Sequence, residues 1–221
     1  MFAALSRMRG KRFFHPYGVP YRATISFAER GTTGFDIDLL DGSERPAIVR
    51  FSRGVGLPLP LPDVLGFAIK IPDASGWGQD QDLLMVSSGT TPIVRNLLMP
   101  ARDYLSAVYS TVLPYRTRDK TIVIGARRTS DAKSDDGDGE ALDGARFELL
   151  AAELGSGWTS IAVLAIGARY PDKLVDRLTF NPWNTSYDLE PVGPFNRLRR
   201  STYEASQAAR PDARSPRSSF E

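Results

Sequence analysis

The sequence predicts an α+β domain: an antiparallel β-barrel of about eight strands, with flanking helices mostly after it and a helix at its C-terminal end. Short β-branched and aromatic runs with period-two alternation recur from residue 21 to residue 167. Helix-like runs gather later, the last of them stopped by Pro211. With 221 residues, 42% hydrophobic and 24% charged, the chain is long enough to bury a core and has the composition of a globular domain.

The elements follow in order. Residues 21–28 alternate Tyr21, Ala23, Ile25 and Phe27 with polar positions, and 34–40 alternate Phe35, Ile37 and Leu39 with Asp36 and Asp38. Segments 47–52, 66–71 and 83–87 come next, then 121–125, 147–154 and 160–167. Strands this short and closely spaced suit a closed antiparallel barrel. Three helices are predicted: 101–112, 171–178 with Pro171 in its first turn, and 194–210. The acidic, glycine-rich stretch 130–140 reads as a solvated, mobile connection, and the tail after Pro211 as disordered. Residues 1–211 are thus expected to form one domain and 212–221 a tail.

Composition excludes several kinds of chemistry. A net charge of +2 gives no global pull towards nucleic acid. The longest apolar run, 161–166, is too short to span a bilayer, so no transmembrane segment is expected. The first residues lack the apolar core and small-residue cleavage site of a secretory signal, which leaves a cytoplasmic protein as the simplest expectation. With no cysteine, the chain can form no disulfide, zinc–thiolate site, iron–sulfur cluster or thiolate-ligated haem. A single histidine, His15, rules out a two-histidine metal site within one chain. No nucleophile elbow, glycine-rich dinucleotide loop or P-loop is present.

Two places remain for chemistry. In the C-terminal helix, Tyr203 lies about 40° from Arg199 and Arg210 about 20° from it, so all three share a face. Nearby positive charge favours the ionised phenol, and tyrosinate is a ligand for ferric haem iron. The same pattern also reads as a basic amphipathic helix with one buried tyrosine. His15 sits in Arg12-Phe13-Phe14-His15-Pro16, just before the first strand. It is either an ordinary loop histidine or, walled in by aromatics, a proton shuttle in its natural pKa range.

Five segments resemble haem catalases, in the same order along the chain. Arg12-Phe13-Phe14-His15 resembles the stretch carrying the distal histidine, and Val49-Arg50-Phe51-Ser52 the Val-Arg-Phe-Ser strand. Leu65-Gly66-Phe67-Ala68-Ile69-Lys70 is similar to the Arg-Gly-Phe-Ala strand. Asp82-Leu83-Leu84-Met85-Val86, leading into Thr90-Thr91-Pro92, falls where catalases have Asp-Leu-Val-Gly-Asn-Asn-Thr-Pro. Arg199-x-x-x-Tyr203, followed by Arg210, resembles the proximal motif and its downstream arginine. The resemblance spans residues 12–210 and is nearest to the small catalase-related peroxidases.

The resemblance implies haem b as cofactor. By it, Tyr203 ligates the iron, Arg199 keeps the phenol ionised, and Arg12, Arg50 and Arg210 bind the propionates. His15 becomes the distal acid–base, and Ser52 accepts a hydrogen bond that orients its imidazole. Three departures qualify the match. Thr90 stands where catalases carry an amide, Phe13 and Phe14 replace two valines, and the chain lacks the long wrapping segment and C-terminal helical domain of large catalases. The implied activity is a peroxidase using hydrogen peroxide or an organic hydroperoxide with a small organic electron donor, with weak catalase activity. A lipid hydroperoxide isomerase or dehydratase, and a haem-binding protein without turnover, are the alternatives. Whether the chain forms a homo-oligomer is left open.

Overall fold

A computed structural model describes residues 17–57, 61–129, 142–171, 178–186 and 188–192. The strands are β1 (Tyr17–Phe27), β2 (Glu44–Arg53), β3 (Leu65–Ile71), β4 (Gln81–Ser87), β5 (Tyr109–Ser110), β6 (Tyr115–Arg116), β7 (Thr121–Arg128), β8 (Arg146–Glu153), β9 (Thr159–Arg169) and β10 (Glu190–Pro191). The order β7-β5-β4-β3-β2-β1-β9-β8 closes on itself because β8 pairs back with β7, which makes an eight-stranded barrel, antiparallel throughout. The short strands β6 and β10 extend the sheet from the start of β7. Register shifts between Tyr21 and Ala23 on β1, and between Leu149 and Leu150 on β8, mark irregularities of the kind that let a sheet bend and close.

Alternation decides which side chains fill the barrel. On β1 to β4 the odd positions point inward, among them Tyr21, Ile25, Val49, Phe51, Phe67, Ile69, Leu83 and Met85, all buried. An eight-stranded barrel has room for side chains and little else. Here the rings of Phe51 and Phe67 stack 4.6 Å apart, and Phe147 and Tyr109 each lie 5.1 Å from Phe67. A void of about 10 Å³ remains among Phe27, Ile37, Leu83, Leu149 and their neighbours, about the space of one water. Any cofactor-sized ligand must therefore sit outside the barrel.

The barrel matches the sequence expectation, but the α+β class with flanking helices does not hold. Among the described residues the sole helix is a three-residue 3₁₀ turn, Val94–Asn96. The predicted helix 101–112 is a bend and turn running into β5. Asp103 accepts from the backbone N–H of Leu105 and Ser106 at 2.9 Å each, which fixes a tight turn, and Tyr109 must then enter the barrel as a strand residue. Of the predicted helix 171–178, residues 172–177 lie outside the described residues, as does the whole of 194–210.

The predicted strand 34–40 is also absent. These residues form a loop whose Phe35, Ile37, Leu39 and Leu40 join the core. Between them, Asp36 and Asp38 turn out to the guanidinium groups of Arg30 and Arg118. Among the described residues no helix is long and apolar enough to cross a membrane.

Candidate functional site

The barrel's interior is filled, so its outer wall is where chemistry can be placed. On β2, Val49 and Phe51 point in, and Arg50 and Ser52, between and beyond them, point out. Cross-strand register then sets their neighbours. Ser52 stands opposite Gly18 of β1 on one side and Gly66 of β3 on the other. The same row continues through Val86, Ser110 and Gly125 of β4, β5 and β7. The outer face therefore carries a belt of small residues, with Ser52 in it at 3% exposure.

Arg50 uses that belt. Its guanidinium lies across Gly18: a methyl group there would be 2.3 Å from its Cζ and Nη2 and 2.4 Å from its Nε. No side chain larger than hydrogen fits at Gly18 while Arg50 keeps this pose. Glycine is used here for close approach, not for backbone freedom.

The end of β2 is anchored by Asp63. Its buried carboxylate accepts from the N–H groups of Val55, Gly56 and Leu57 at 3.0, 2.8 and 3.1 Å. The Arg53 Nε lies 3.7 Å from the same carboxylate and donates to the Leu57 carbonyl at 3.0 Å. Burial alone would push the Asp63 carboxyl up, but the row of backbone N–H donors overcomes it and holds the group below the ordinary carboxylate range. This loop thus stays tied to β2 next to Ser52. Residues 63 and 101 exchange two backbone hydrogen bonds of 2.9 Å, which joins it to the segment after β4.

Thr90 belongs to that second segment. The chain leaves the sheet at Ser87, and Thr90 falls in the bend that follows, with its side chain exposed. It does not share the row of Arg50 and Ser52. Gly89 beside it is buried under Val94, whose Cγ2 a methyl at Gly89 would meet at 2.3 Å. His15 and Arg12, as well as Arg199, Tyr203 and Arg210, lie outside the described residues. Among the described residues, no group of three or more His, Cys, Asp or Glu side chains is placed to hold a metal ion.

Sequence reasoning singled out Arg50 and Ser52, which the structure places on one outer face, but not Gly18, whose contact with Arg50 depends on register with a strand some thirty residues away. It also missed Asp63, and Arg95 with Trp158. Arg95 did leave a signal, as a lone cation inside the apolar run Pro92-Ile93-Val94-Arg95-Asn96-Leu97-Leu98-Met99. A recess of about 270 Å³ at the opposite end of the barrel, between Arg30, Phe35, Asp36 and Asp119, is lined by ion-paired surface groups. No protein-family profile and no curated protein sequence matches this chain.

Proposed function

We propose that the chain is a haem-dependent peroxidase that reduces hydrogen peroxide or an organic hydroperoxide with electrons from a small organic donor. The observation that carries this reading is the outward pair Arg50 and Ser52, with Ser52 set between Gly18 and Gly66 and the Arg50 guanidinium lying over Gly18, on a barrel whose interior is full. A flat dicarboxylate cofactor fits that face on two counts. Gly66 puts no side chain between a planar ring and the backbone of β3 beside Ser52, and the Arg50 guanidinium, which itself covers Gly18, offers the fork of donors that a carboxylate takes.

Haem b, when bound, supplies the redox chemistry needed to break a peroxide O–O bond. The rest falls to the chain. Arg50, together with Arg12 and Arg210 by the catalase resemblance, neutralises the two propionates. By the same resemblance Tyr203 would hold the iron, and the Arg199 charge would favour the phenolate over the phenol. His15 takes the proton from the near oxygen of the peroxide and returns it to the far one, so that water leaves in place of hydroxide. By the same resemblance the Ser52 oxygen would accept the imidazole N–H and fix the tautomer that performs this transfer. Thr90 offers one hydroxyl donor where a catalase has an amide, which favours oxidation of an organic donor over a second hydrogen peroxide.

The test is an absorption spectrum of the haem-loaded protein followed by peroxide addition with an oxidisable dye. A high-spin ferric tyrosinate spectrum and peroxide-dependent dye oxidation are expected. Tyr203→Phe should lose or shift the spectrum. His15→Ala should keep it and lose roughly a hundredfold of the peroxide reaction. An unchanged spectrum in Tyr203→Phe, or haem loss in His15→Ala alone, would overturn the assignment. Conversion of a fatty-acid hydroperoxide without any donor would place the reaction among isomerisations instead.

A further inference from the structure

A second set of groups sits around the barrel from Arg50. Trp158, from the turn between β8 and β9, packs against β7: a methyl at Gly125 would be 2.7 Å from its Cη2 and 2.8 Å from the Tyr109 carbonyl oxygen. Arg95, from the 3₁₀ turn after β4, covers the ring, with Cζ 4.4 Å from its centroid. The guanidinium is held by the Pro92 carbonyl, which accepts from Nε at 3.3 Å, and by the Ser156 carbonyl, which accepts from Nη2.

This is an expensive arrangement to leave as it stands. Arg95 is 2% exposed, makes no ion pair among the described residues, and stays charged because a guanidinium does not give up its proton. Among the described residues its buried Nη1 has no hydrogen-bond partner, and neither has the buried indole Nε1 of Trp158. Buried donors of this kind are normally satisfied, and a buried charge is normally paired. The ring face offsets part of the charge through cation–π attraction, but accepts from neither N–H.

We propose that Arg95 and Trp158 form a binding site for a small organic carboxylate, separate from the outer face of β2. One positive charge and two unpartnered donor nitrogens, on a guanidinium and the ring it covers, match a carboxylate, which brings one negative charge and two acceptor oxygens. The organic part follows from the surroundings. Ile93 and Leu97, two residues to either side of Arg95, are 85% and 55% exposed, and the adjoining Leu98 and Met99 are exposed as well. A ligand with an apolar body covers these side chains while its head reaches the guanidinium. Entry requires the 89–99 segment to lift. Few bonds tie it to the barrel: the Met99 N–H donates to the Ser87 carbonyl, the Ser87 hydroxyl to the Met99 carbonyl, and Arg95 to the Ser156 carbonyl, beside the Ser88–Leu98 bridge.

Neither Arg95 nor Trp158 is assigned to peroxide chemistry, and although Thr90 lies in the segment that lifts, binding is read without haem or peroxide, so the test stands apart from that reading. Isothermal titration of the purified full-length chain with octanoate, 1-octanol and acetate separates head from body. Octanoate should bind at one site at least about tenfold more tightly than octanol, as expected for hydrogen bonds to a charged group, and acetate should bind more weakly than octanoate. Arg95→Gln should bring octanoate down to the level of octanol. Trp158→Phe keeps the stacked ring and drops the N–H, and should weaken octanoate about threefold while leaving octanol unchanged. If Arg95→Gln does not fold, the wild-type comparison and Trp158→Phe decide the matter. Equal binding of octanoate and octanol by the wild type, or octanoate affinity unchanged in either variant, overturns the proposal.

Discussion

Replacing Gly18 with alanine puts a methyl carbon 2.3 Å from Cζ and Nη2 of Arg50. Ordinary carbon contacts lie at roughly 3.5–4.0 Å, so the guanidinium has to move by more than about 1 Å. What moves is the far end of a long side chain, and the backbone stays in place. Alanine also recovers roughly 0.5–1 kcal/mol over glycine within a strand, so net stability should change by less than about 1 kcal/mol. Binding should change more. A hydrogen bond to a charged group contributes roughly 1.5–3 kcal/mol, so losing the alignment of Arg50 with a propionate should weaken haem about 10- to 150-fold. Haem titrations followed by absorbance, with melts of the same samples, would measure both in wild type, Gly18→Ala, Arg50→Ala and the double variant. The two losses should overlap, because each removes the same contact. Haem affinity within twofold of wild type in Gly18→Ala, or an undiminished further loss in the Arg50→Ala background, would refute the reasoning.

Gly125→Ala should behave differently, because its methyl meets the Tyr109 carbonyl oxygen at 2.8 Å, and backbone cannot swing aside. A loss of about 1–3 kcal/mol in urea unfolding is expected, and a change below about 0.5 kcal/mol would show that the Tyr109 carbonyl does not close over Gly125. Asp82 is clamped by Lys70 at 2.7 Å, the Asn181 N–H at 2.7 Å and the Asn184 amide at 3.0 Å, yet burial outweighs these partners and pushes its carboxyl up to about 6. The folded protein therefore holds more protons than the unfolded chain between about pH 4 and 6, so this group's contribution to stability falls as pH rises through that window. Asp82→Asn should flatten that fall in melting temperature, and a wild-type curve parallel to the variant's would contradict it. Thr90→Asn should raise oxygen evolution from hydrogen peroxide relative to dye oxidation, since one oriented donor contributes on the order of 3 kcal/mol, about a hundredfold in rate. Oxygen release by the unmodified chain at the rate of large catalases would refute that expectation.

The barrel was legible because alternation reports burial on one side of a strand, as on β1 and β2, and because β3, β7 and β8, buried along nearly their whole length, read as short apolar runs between turn residues. The failures follow from the same rule. The run Phe35-Asp36-Ile37-Asp38-Leu39 alternates because a loop threads its apolar side chains into the core while two aspartates face arginines outside. Period two there records burial without any ladder of hydrogen bonds. Residues 101–112 looked helical from composition, but the Asp103 carboxylate takes the N–H groups of Leu105 and Ser106 for a turn, and Tyr109 is needed between Phe67 and Phe147. The two-residue strands β5, β6 and β10 are too short for any period to show.

The site was legible in part for the same reason. That Arg50 and Ser52 share a face follows from their spacing alone. That this face is floored by Gly18 and Gly66 follows from register, which joins strands far apart in sequence and is written in no local pattern. Register is nonetheless not free. A slip of β1 by one residue would take Tyr21 and Ile25 out of the core and turn Arg22 into it, so burial of the inner face fixes the pairing that sets Gly18 beside Ser52. The packed interior and the small-residue outer belt are therefore two consequences of one alignment. A substitution that loosens the first, such as Phe51→Ala, should disturb the pose of Arg50 on the opposite face without touching it.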